Sequence, residues 1–539
     1  MRSRILFATL SLLILLACSL AAGISPVVPG TAPPSMPADS GLTIFISDLH
    51  LGVGLDPNNP SKWHQYEDFR WLDEFRLFLK EINRLGGGKT TLVLNGDVFE
   101  LWQSLKDDCI YENKDLGCTE QEALGRIQRV ITSHAAELQA LGEFARAGDN
   151  RLIIIPGNHD AALLFPRVAD AALQAISSPG RVDLITQGYW LSPDGLVYAE
   201  HGQQIGKEVN KWEQWPKPFI ELAGKMYLQR PWGEKFVQAY YNAFELKYPI
   251  IDNISQEGEG IRYARAAEGT LGTSQDVAGF LNFFLFKVSW DQFTTSLKPQ
   301  DGKPPEWDVD AIRGKEGQAG IGERFLVESL PTDHPFYSDA SRALVEGKLR
   351  QSFQKLTAED IKTICDERAA LRQIEIDSKK LPTVSECPIK DGTLRAAGEA
   401  LFRARDKVLG EHLTKTCLQL AECPDHPFML FVYSHTHLAV APYSPIKNGD
   451  WQPTVVNTGA WQRVVTPAQL DKIKKLKQIP AGEVLPKLEP EDLPACYSLI
   501  SVEHQRGIAT PTLMYWRRGK DSVWEMVAYK VNEDPCRIE

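Results

Sequence analysis

No Cys-x-x-Cys pair occurs in this sequence of 539 residues, which argues against a thiolate zinc cluster. Long runs of one charge are missing as well. The 59 basic and 70 acidic side chains leave a formal net charge of −11, spread along the chain. A nucleic-acid binder needs a basic face, so no nucleic-acid partner is expected. The apolar stretches that stand out, 5–17 and 277–290, are too short to cross a bilayer comfortably. Internal repeats are absent. The remainder is ordinary for a globular protein: 43% hydrophobic and 24% charged residues, in a chain long enough to bury a large core.

What is present is a series of five short polar motifs. They read Asp48-Leu49-His50, Gly96-Asp97, Gly157-Asn158-His159-Asp160, His201-Gly202 and Ser434-His435-Thr436-His437. Each follows an apolar run: Thr43-Ile44-Phe45-Ile46-Ser47, Thr91-Leu92-Val93-Leu94-Asn95, Leu152-Ile153-Ile154-Ile155, Leu196-Val197-Tyr198-Ala199 and Met429-Leu430-Phe431-Val432-Tyr433. Continuous apolar runs of this length suit strands buried on both faces. In open α/β sheets, ligands gather outside the carboxyl ends of such strands. Singly, each motif has a bland reading as a loop, a surface histidine pair or a turn. Together they point to one metal site. His64, His134, His334, His412, His426 and His504 lack such context and read as ordinary surface or core histidines.

The ordered set resembles the calcineurin-like metallophosphoesterase superfamily, whose pattern is D-x-H, G-D, G-N-H-D/E, H and G-H-x-H. The likeness covers roughly 41–203 and 428–465 and fills every ligand position. It implies that Asp48, His50 and His437 hold one divalent ion and Asn158, His201 and His435 a second, with Asp97 bridging. Such ligands suit manganese, iron or zinc without choosing among them. Ions roughly 3.5–4 Å apart would clamp a phosphoryl oxygen and turn a bridging water into hydroxide for in-line attack. His159 would face the leaving oxygen as proton donor, with Asp160 orienting it.

Two departures stand out. Ser434 takes the place of the family's usual Gly, a change small enough to fit. No Tyr lies within Gly96-Asp97-Val98-Phe99-Glu100, which argues against a tyrosinate-bound ferric centre. Asp48-Leu49-His50-Leu51-Gly52, Gly96-Asp97-Val98-Phe99-Glu100-Leu101-Trp102 and Val456-Asn457-Thr458-Gly459-Ala460-Trp461 look closest to the UDP-2,3-diacylglucosamine hydrolase branch. That likeness does not license the same substrate.

The resemblance implies an α/β fold, a four-layer sandwich of two mixed β-sheets flanked by helices, over 41–203 and 428–539. Residues 204–427 form an insertion, read as a mainly helical cap. Helical spacing occurs there at 219–228, 235–246, 344–355, 358–378 and 394–418. The Phe-rich 277–286 reads as a buried cap helix, or else as a wall for an apolar substrate or a surface that dips into a membrane. Trp212, Trp215, Phe219 and Trp232, with Lys207, Lys211 and Lys217, would either line the cleft or pack in the core. Residues 454–457, 498–503, 512–517 and 523–529 alternate as strands, expected to complete the second sheet.

Met1-Arg2-Ser3-Arg4 and the apolar 5–17 read as a signal peptide, 1–18 in all. Leu15-Leu16-Ala17-Cys18 resembles a bacterial lipobox, which would anchor an acylated Cys18 in a membrane; ordinary secretion is the alternative. A Pro- and Ala-rich tether follows over 19–40. Setting Cys18 aside, the nine cysteines leave neighbouring pairs: Cys109 with Cys118, Cys365 with Cys387, Cys417 with Cys423, and Cys496 with Cys536. Disulfides between them are expected in an oxidising compartment such as the periplasm. The expected function is an exported, metal-dependent hydrolase of a phosphorylated small molecule or lipid. A lipid-directed phosphodiesterase or pyrophosphatase and a non-catalytic binding scaffold on the same fold stay open as rivals.

Overall fold

The computed structural model describes residues 41–254 and 409–536, apart from 107, 114, 206–210, 232, 235–237, 239–241, 247, 421–426, 447–450, 480–482, 520–521 and 532. The expected signal peptide, Cys18, the 19–40 tether, the pair Cys365–Cys387 and the cap over 255–408, with its Phe-rich piece, lie outside the described residues. So do Lys207, Trp232, His334, Cys423 and His426.

In chain order the strands are β1 (Gly41–Ile46), β2 (Leu55–Asp56), β3 (Asn59–Trp63), β4 (Thr90–Asn95), β5 (Leu116–Thr119) and β6 (Arg151–Ile155). Then come β7 (Val182–Leu184), β8 (Trp190–Leu191), β9 (Val197–Ala199), β10 (Phe219–Leu222), β11 (Lys225–Gln229) and β12 (Leu430–Tyr433). The last are β13 (Val440–Tyr443), β14 (Thr454–Asn457), β15 (Cys496–Gln505), β16 (Ile508–Arg518) and β17 (Trp524–Ala528). A seven-stranded sheet runs β17-β16-β15-β1-β4-β6-β7, and a five-stranded one β13-β14-β12-β9-β8. Both are mixed. Strands β1, β4, β6 and β7 are parallel in the first, and β9, β12 and β14 in the second. Their outer strands run antiparallel.

Period-two alternation explains the layering. Ile44, Ile46, Leu92, Leu94, Leu152 and Ile154 enter one core, while Phe45, Val93, Ile153 and Ile155 enter another. The first core is shared with helices Leu72–Leu85, Glu120–Ser133, Ala135–Arg146 and Pro166–Ile176, through Phe75, Ile127, Leu141 and Val168. The second lies between the sheets, where Val197, Val432 and Val456 meet Phe45 and Val93. On the far side, Tyr198, Phe431 and Val455 pack against Leu409 and Leu413 of the helix at 409–419. Helix, sheet, sheet and helix are thus stacked. Strands β1, β4, β6, β9 and β12 are buried on both faces, which is why each reads as a continuous apolar run.

All five apolar runs are strands, but two expectations fail. Residues 219–228 are not helical. They form the hairpin β10–β11, closed by Ala223 and Gly224 at φ of 50° and 71°, with Leu222 paired to Lys225. Two central residues with positive φ make the turn whose twist matches that of the strands. The hairpin also pairs with β5. The chain's final strands β15, β16 and β17 do not complete the smaller sheet, which of the four expected segments gains only β14. Instead β15 pairs along β1, and alternation sends Leu499 into the helix-side core and Ile500 and Val502 between the sheets.

Elsewhere in the expected cap, Asn242–Glu245 and 409–419 are helical. Trp212 is buried and stacks on Trp215, and Phe219 meets Phe165, so these side chains pack in the core. Cys109–Cys118 and Cys496–Cys536 are disulfides, and Cys417 is disulfide-bonded as well. No helix among the described residues is long and apolar enough to cross a membrane.

Candidate metal centre

The parallel strands end together. Asp48 follows β1, Asp97 follows β4 and Asn158 follows β6, while His201 follows β9 and His435 and His437 follow β12. Beyond the strand ends the loops stay hydrogen-bonded to one another. Asp48 N donates to Gly96 O at 3.1 Å, His50 N to Asp97 O at 3.0 Å, and Ser434 N to His201 O at 2.7 Å. Trp461 N donates to Ser47 O at 2.9 Å.

These loops are strained. Asp48, His50, Asp97, His435 and His437 hold φ of 53°, 49°, 53°, 69° and 55°, where residues other than glycine are uncommon. Each such residue costs on the order of 1–3 kcal/mol and persists only where its surroundings dictate it. Gly96, at φ 90°, is required for a further reason: a Cβ there would stand 2.2 Å from His201 Nδ1.

Ligand-type atoms of Asp48, His50 and His437 lie within 4.8 Å of one another, as do those of Asp97, His201 and His435. His437 Nε2 is 3.3 Å from Asp48 Oδ1, and His201 Nε2 is 3.0 Å from Asp97 Oδ2. Asn158 Oδ1 joins the second set, 3.1 Å from His201 Nε2. Asp97 Oδ2 is also 4.0 Å from His50 Nε2, so this carboxylate stands between the two sets.

The far side of each donor is held. His50 Nδ1 faces Glu100 Oε2 at 2.9 Å, His201 Nδ1 donates to Asn95 O at 2.8 Å, and Asp48 Oδ2 accepts from Ser47 Oγ. On the near side His50 Nε2 is buried without a hydrogen-bond partner, and Asp48 Oδ1 meets only the His437 imidazole, whose Nε2 is 3.3 Å away. A buried polar atom left bare costs about 1–3 kcal/mol. A cation would satisfy both lone pairs, and outer hydrogen bonds of this kind orient metal ligands. The residues therefore fit bound metal ions.

The charges agree with that fit. Burial pushes Asp97 up, but the imidazoles of His201, His159 and His50 more than offset it and hold the carboxyl well below its usual range. Burial likewise opposes, and His437 and His201 outweigh it, in lowering Asp48. Burial and the neighbouring His201 push His435 down to about 3, leaving it neutral. His201 moves the other way, to about 10: burial lowers it, and Asp97 and Asp48 raise it more. Binding a cation at Nε2 would displace that proton.

His159 lies beside the cluster with its ring stacked on Trp102 at 3.9 Å and its Nδ1 2.5 Å from Glu100 Oε2. Burial lowers it, but Glu100 and Asp97 raise it to about 9, so it is charged at neutral pH. Glu100 falls to about 2, because His159 and His50 outweigh its burial.

Asp160 does not orient His159, contrary to expectation. Its Oδ1 accepts from Gly157 N at 2.6 Å and its Oδ2 from Val98 N at 2.8 Å. Wholly buried at the start of the turn Ala161–Leu164, it lies beneath the loops that carry Asn158 and Asp97. Glu100 takes the expected role instead. A lone acidic residue within Val98-Phe99-Glu100-Leu101-Trp102 was the available signal.

Of the histidines without motif context, His134 is buried against Glu67 at 3.1 Å. Glu67 in turn accepts from Gly54 N at 2.5 Å and Phe69 N at 2.9 Å, bracing the loop that leaves His50. His412 and His504 pair with Glu200 and Asp194. No protein-family model matches the chain, and no curated protein matches it.

Proposed function

We propose that this chain hydrolyses phosphate esters with the help of two divalent metal ions, as its motif resemblance to calcineurin-like metallophosphoesterases implies. The observation that carries this reading is the pair of buried atoms His50 Nε2, which has no hydrogen-bond partner, and Asp48 Oδ1, which meets only His437, each on a side chain held from behind. Asp48, His50 and His437 would hold one ion and Asn158, His201 and His435 the other, with Asp97 shared. Bound there, divalent ions supply Lewis acidity toward a phosphoryl oxygen and an activated water. Protonated His159, steadied by Glu100 and the face of Trp102, gives a proton to the leaving oxygen. Its backbone N–H donates to Asp97 Oδ1 at 2.8 Å, which keeps the shared carboxylate in register with the proton donor.

The stacked helix, sheet, sheet and helix layers support the four-layer sandwich of that superfamily. The disulfides Cys109–Cys118 and Cys496–Cys536 support export to an oxidising compartment, with the protein periplasmic, anchored through Cys18, or secreted. A phosphorylated small molecule or lipid is the substrate class. Chelator-stripped protein supplied with manganese should hydrolyse p-nitrophenyl phosphate or its bis-ester, and chelator should abolish the activity. Inertness toward both, in protein shown to carry two ions, would point to the non-catalytic scaffold or to a strict lipid substrate, and inertness toward phospholipids as well would sink this reading.

A further inference from the structure

Ser434 occupies the position where the resembling family has Gly, and its hydroxyl is engaged. Asn95 ends β4, and Ser47, Ser434 and Thr458 directly follow β1, β12 and β14. All four are at most 1% exposed. They form an unbroken chain of hydrogen bonds. Asn95 Nδ2 lies 2.8 Å from Ser434 Oγ, Ser434 Oγ 2.7 Å from Thr458 Oγ1, and Thr458 Oγ1 2.7 Å from Ser47 Oγ. Ser47 Oγ closes the chain on Asp48 Oδ2.

Both ends of the chain have a set polarity. Asn95 Nδ2 also donates to Glu200 O at 2.8 Å, and a carbonyl can only accept, so the amide nitrogen must be where it is. At the other end an ionised carboxylate only accepts. Each hydroxyl between them has one hydrogen to give. Gly459 O is a competing acceptor, 2.9 Å from Ser47 Oγ and 3.1 Å from Thr458 Oγ1. With Ser47 giving its hydrogen to the charged carboxylate, every link of the chain is a hydrogen bond only in one sense: Asn95 to Ser434, Ser434 to Thr458, Thr458 to Ser47, Ser47 to Asp48. Aligned bonds of this kind strengthen one another in a buried setting.

The chain joins the two sheets at the candidate ion site. It occupies Asp48 Oδ2 and so leaves Oδ1 facing His437, and it ties Asp48 to the strand end that carries His435 and His437. We infer that Ser434 is a positioning residue for the candidate metal centre, acting through Thr458 and Ser47 to hold the Asp48 carboxylate in aim relative to His437. This rests on the metal-site reading above. Glycine at 434 would leave the Asn95 N–H without its hydroxyl acceptor and Thr458 Oγ1 without its donor, so that nothing on that side holds Thr458 against turning to Gly459 O, 3.1 Å away.

The test is stepwise manganese titration of the chelator-stripped full chain by calorimetry, for wild type, Ser434→Gly, Thr458→Val and the double variant. Thr458→Val keeps the side-chain shape and cuts the same chain from its other side, so the test survives poor folding of Ser434→Gly. Wild type should take two ions. Each single variant should weaken one of them by roughly tenfold, the lower end of what outer partners of metal ligands contribute. The double variant should be no weaker than the singles, because one chain is cut in both. Wild-type affinity for both ions in Ser434→Gly and Thr458→Val, or losses that multiply in the double variant, would overturn the inference while leaving the metal site standing. A wild type that takes up no manganese would overturn the metal-site reading and this inference with it.

Discussion

Glu100 Oε2 stands 2.5 Å from Nδ1 of His159, and the same oxygen is 2.9 Å from Nδ1 of His50. One buried carboxylate therefore steadies the candidate proton donor and a candidate ligand together. Replacing Glu100 with Gln should weaken metal binding by about 10–100-fold, the usual cost of losing an outer partner. It should also lower kcat when metal is saturating. Both are read from one series of activity titrations against manganese. A fall in kcat with unchanged metal affinity would detach Glu100 from His50.

His159→Asn removes the proton donor without touching a candidate ligand. Turnover should fall by about 10²–10⁴-fold, the usual range for general acid catalysis, with metal content intact. Elemental analysis beside kcat decides it. Loss of metal in this variant would refute the assigned role.

Asp160→Asn separates the expected orienting role from the observed one. An amide cannot accept from both Gly157 N and Val98 N, so one backbone donor is left facing another. Unfolding free energy should drop by about 1–3 kcal/mol in a denaturant titration. Unchanged stability with a large loss of turnover would return Asp160 to the role of orienting His159.

His134 gives a pH dependence remote from the candidate ligands. Burial lowers its affinity for a proton, but Glu67 and Glu137 raise it, and the folded pKa stands near 10 against 6.5 for the free side chain. Below about 6.5 both states are charged and the ion pairs contribute fully. Between about 6.5 and 10 the unfolded chain gives up the proton while the folded one keeps it, so stability falls as pH rises. The loss attributable to this residue should be on the order of a few kcal/mol and absent from His134→Gln. Equal pH slopes for the two proteins over that window would contradict the pairing.

The strand-and-ligand pattern was legible because burial on both faces writes itself as an unbroken apolar run. Leu152-Ile153-Ile154-Ile155 could hardly be anything but an interior strand, and the residues that follow it could be placed at a strand end. Other features depend on information that no single segment carries. Phe219, Leu222 and Met226 repeat with helical spacing, yet the left-handed Ala223 and Gly224 fold them into a hairpin. Alternation in 498–503 marks a strand without naming its partner, and β1 rather than the smaller sheet offered the open edge. Asp160 adjoins His159 in sequence, whereas Glu100 meets it only after two strands align. The positive φ of the ligand loops falls on Asp and His, which visit that region more than most residues but only in a minority of cases, so it has no signature in the sequence.

The disulfides should differ in their contribution. Cys496–Cys536 closes a separation of 40 residues and Cys109–Cys118 one of 9. Constraint of the unfolded chain predicts about 4 kcal/mol for the first and about 3 for the second. Paired Cys→Ser variants compared by denaturant unfolding should show the larger loss at the C-terminal bridge. The reverse order would mean that folded-state contacts, not chain entropy, dominate these bridges.

Metal stoichiometry at equilibrium tests the central claim most directly. Dialysis of chelator-stripped full chain against manganese, followed by elemental analysis, should give two ions per chain for wild type and for His159→Asn. His201→Ala and His437→Ala should each retain fewer. A wild type with no bound ion, or both histidine variants still holding two, would contradict the account.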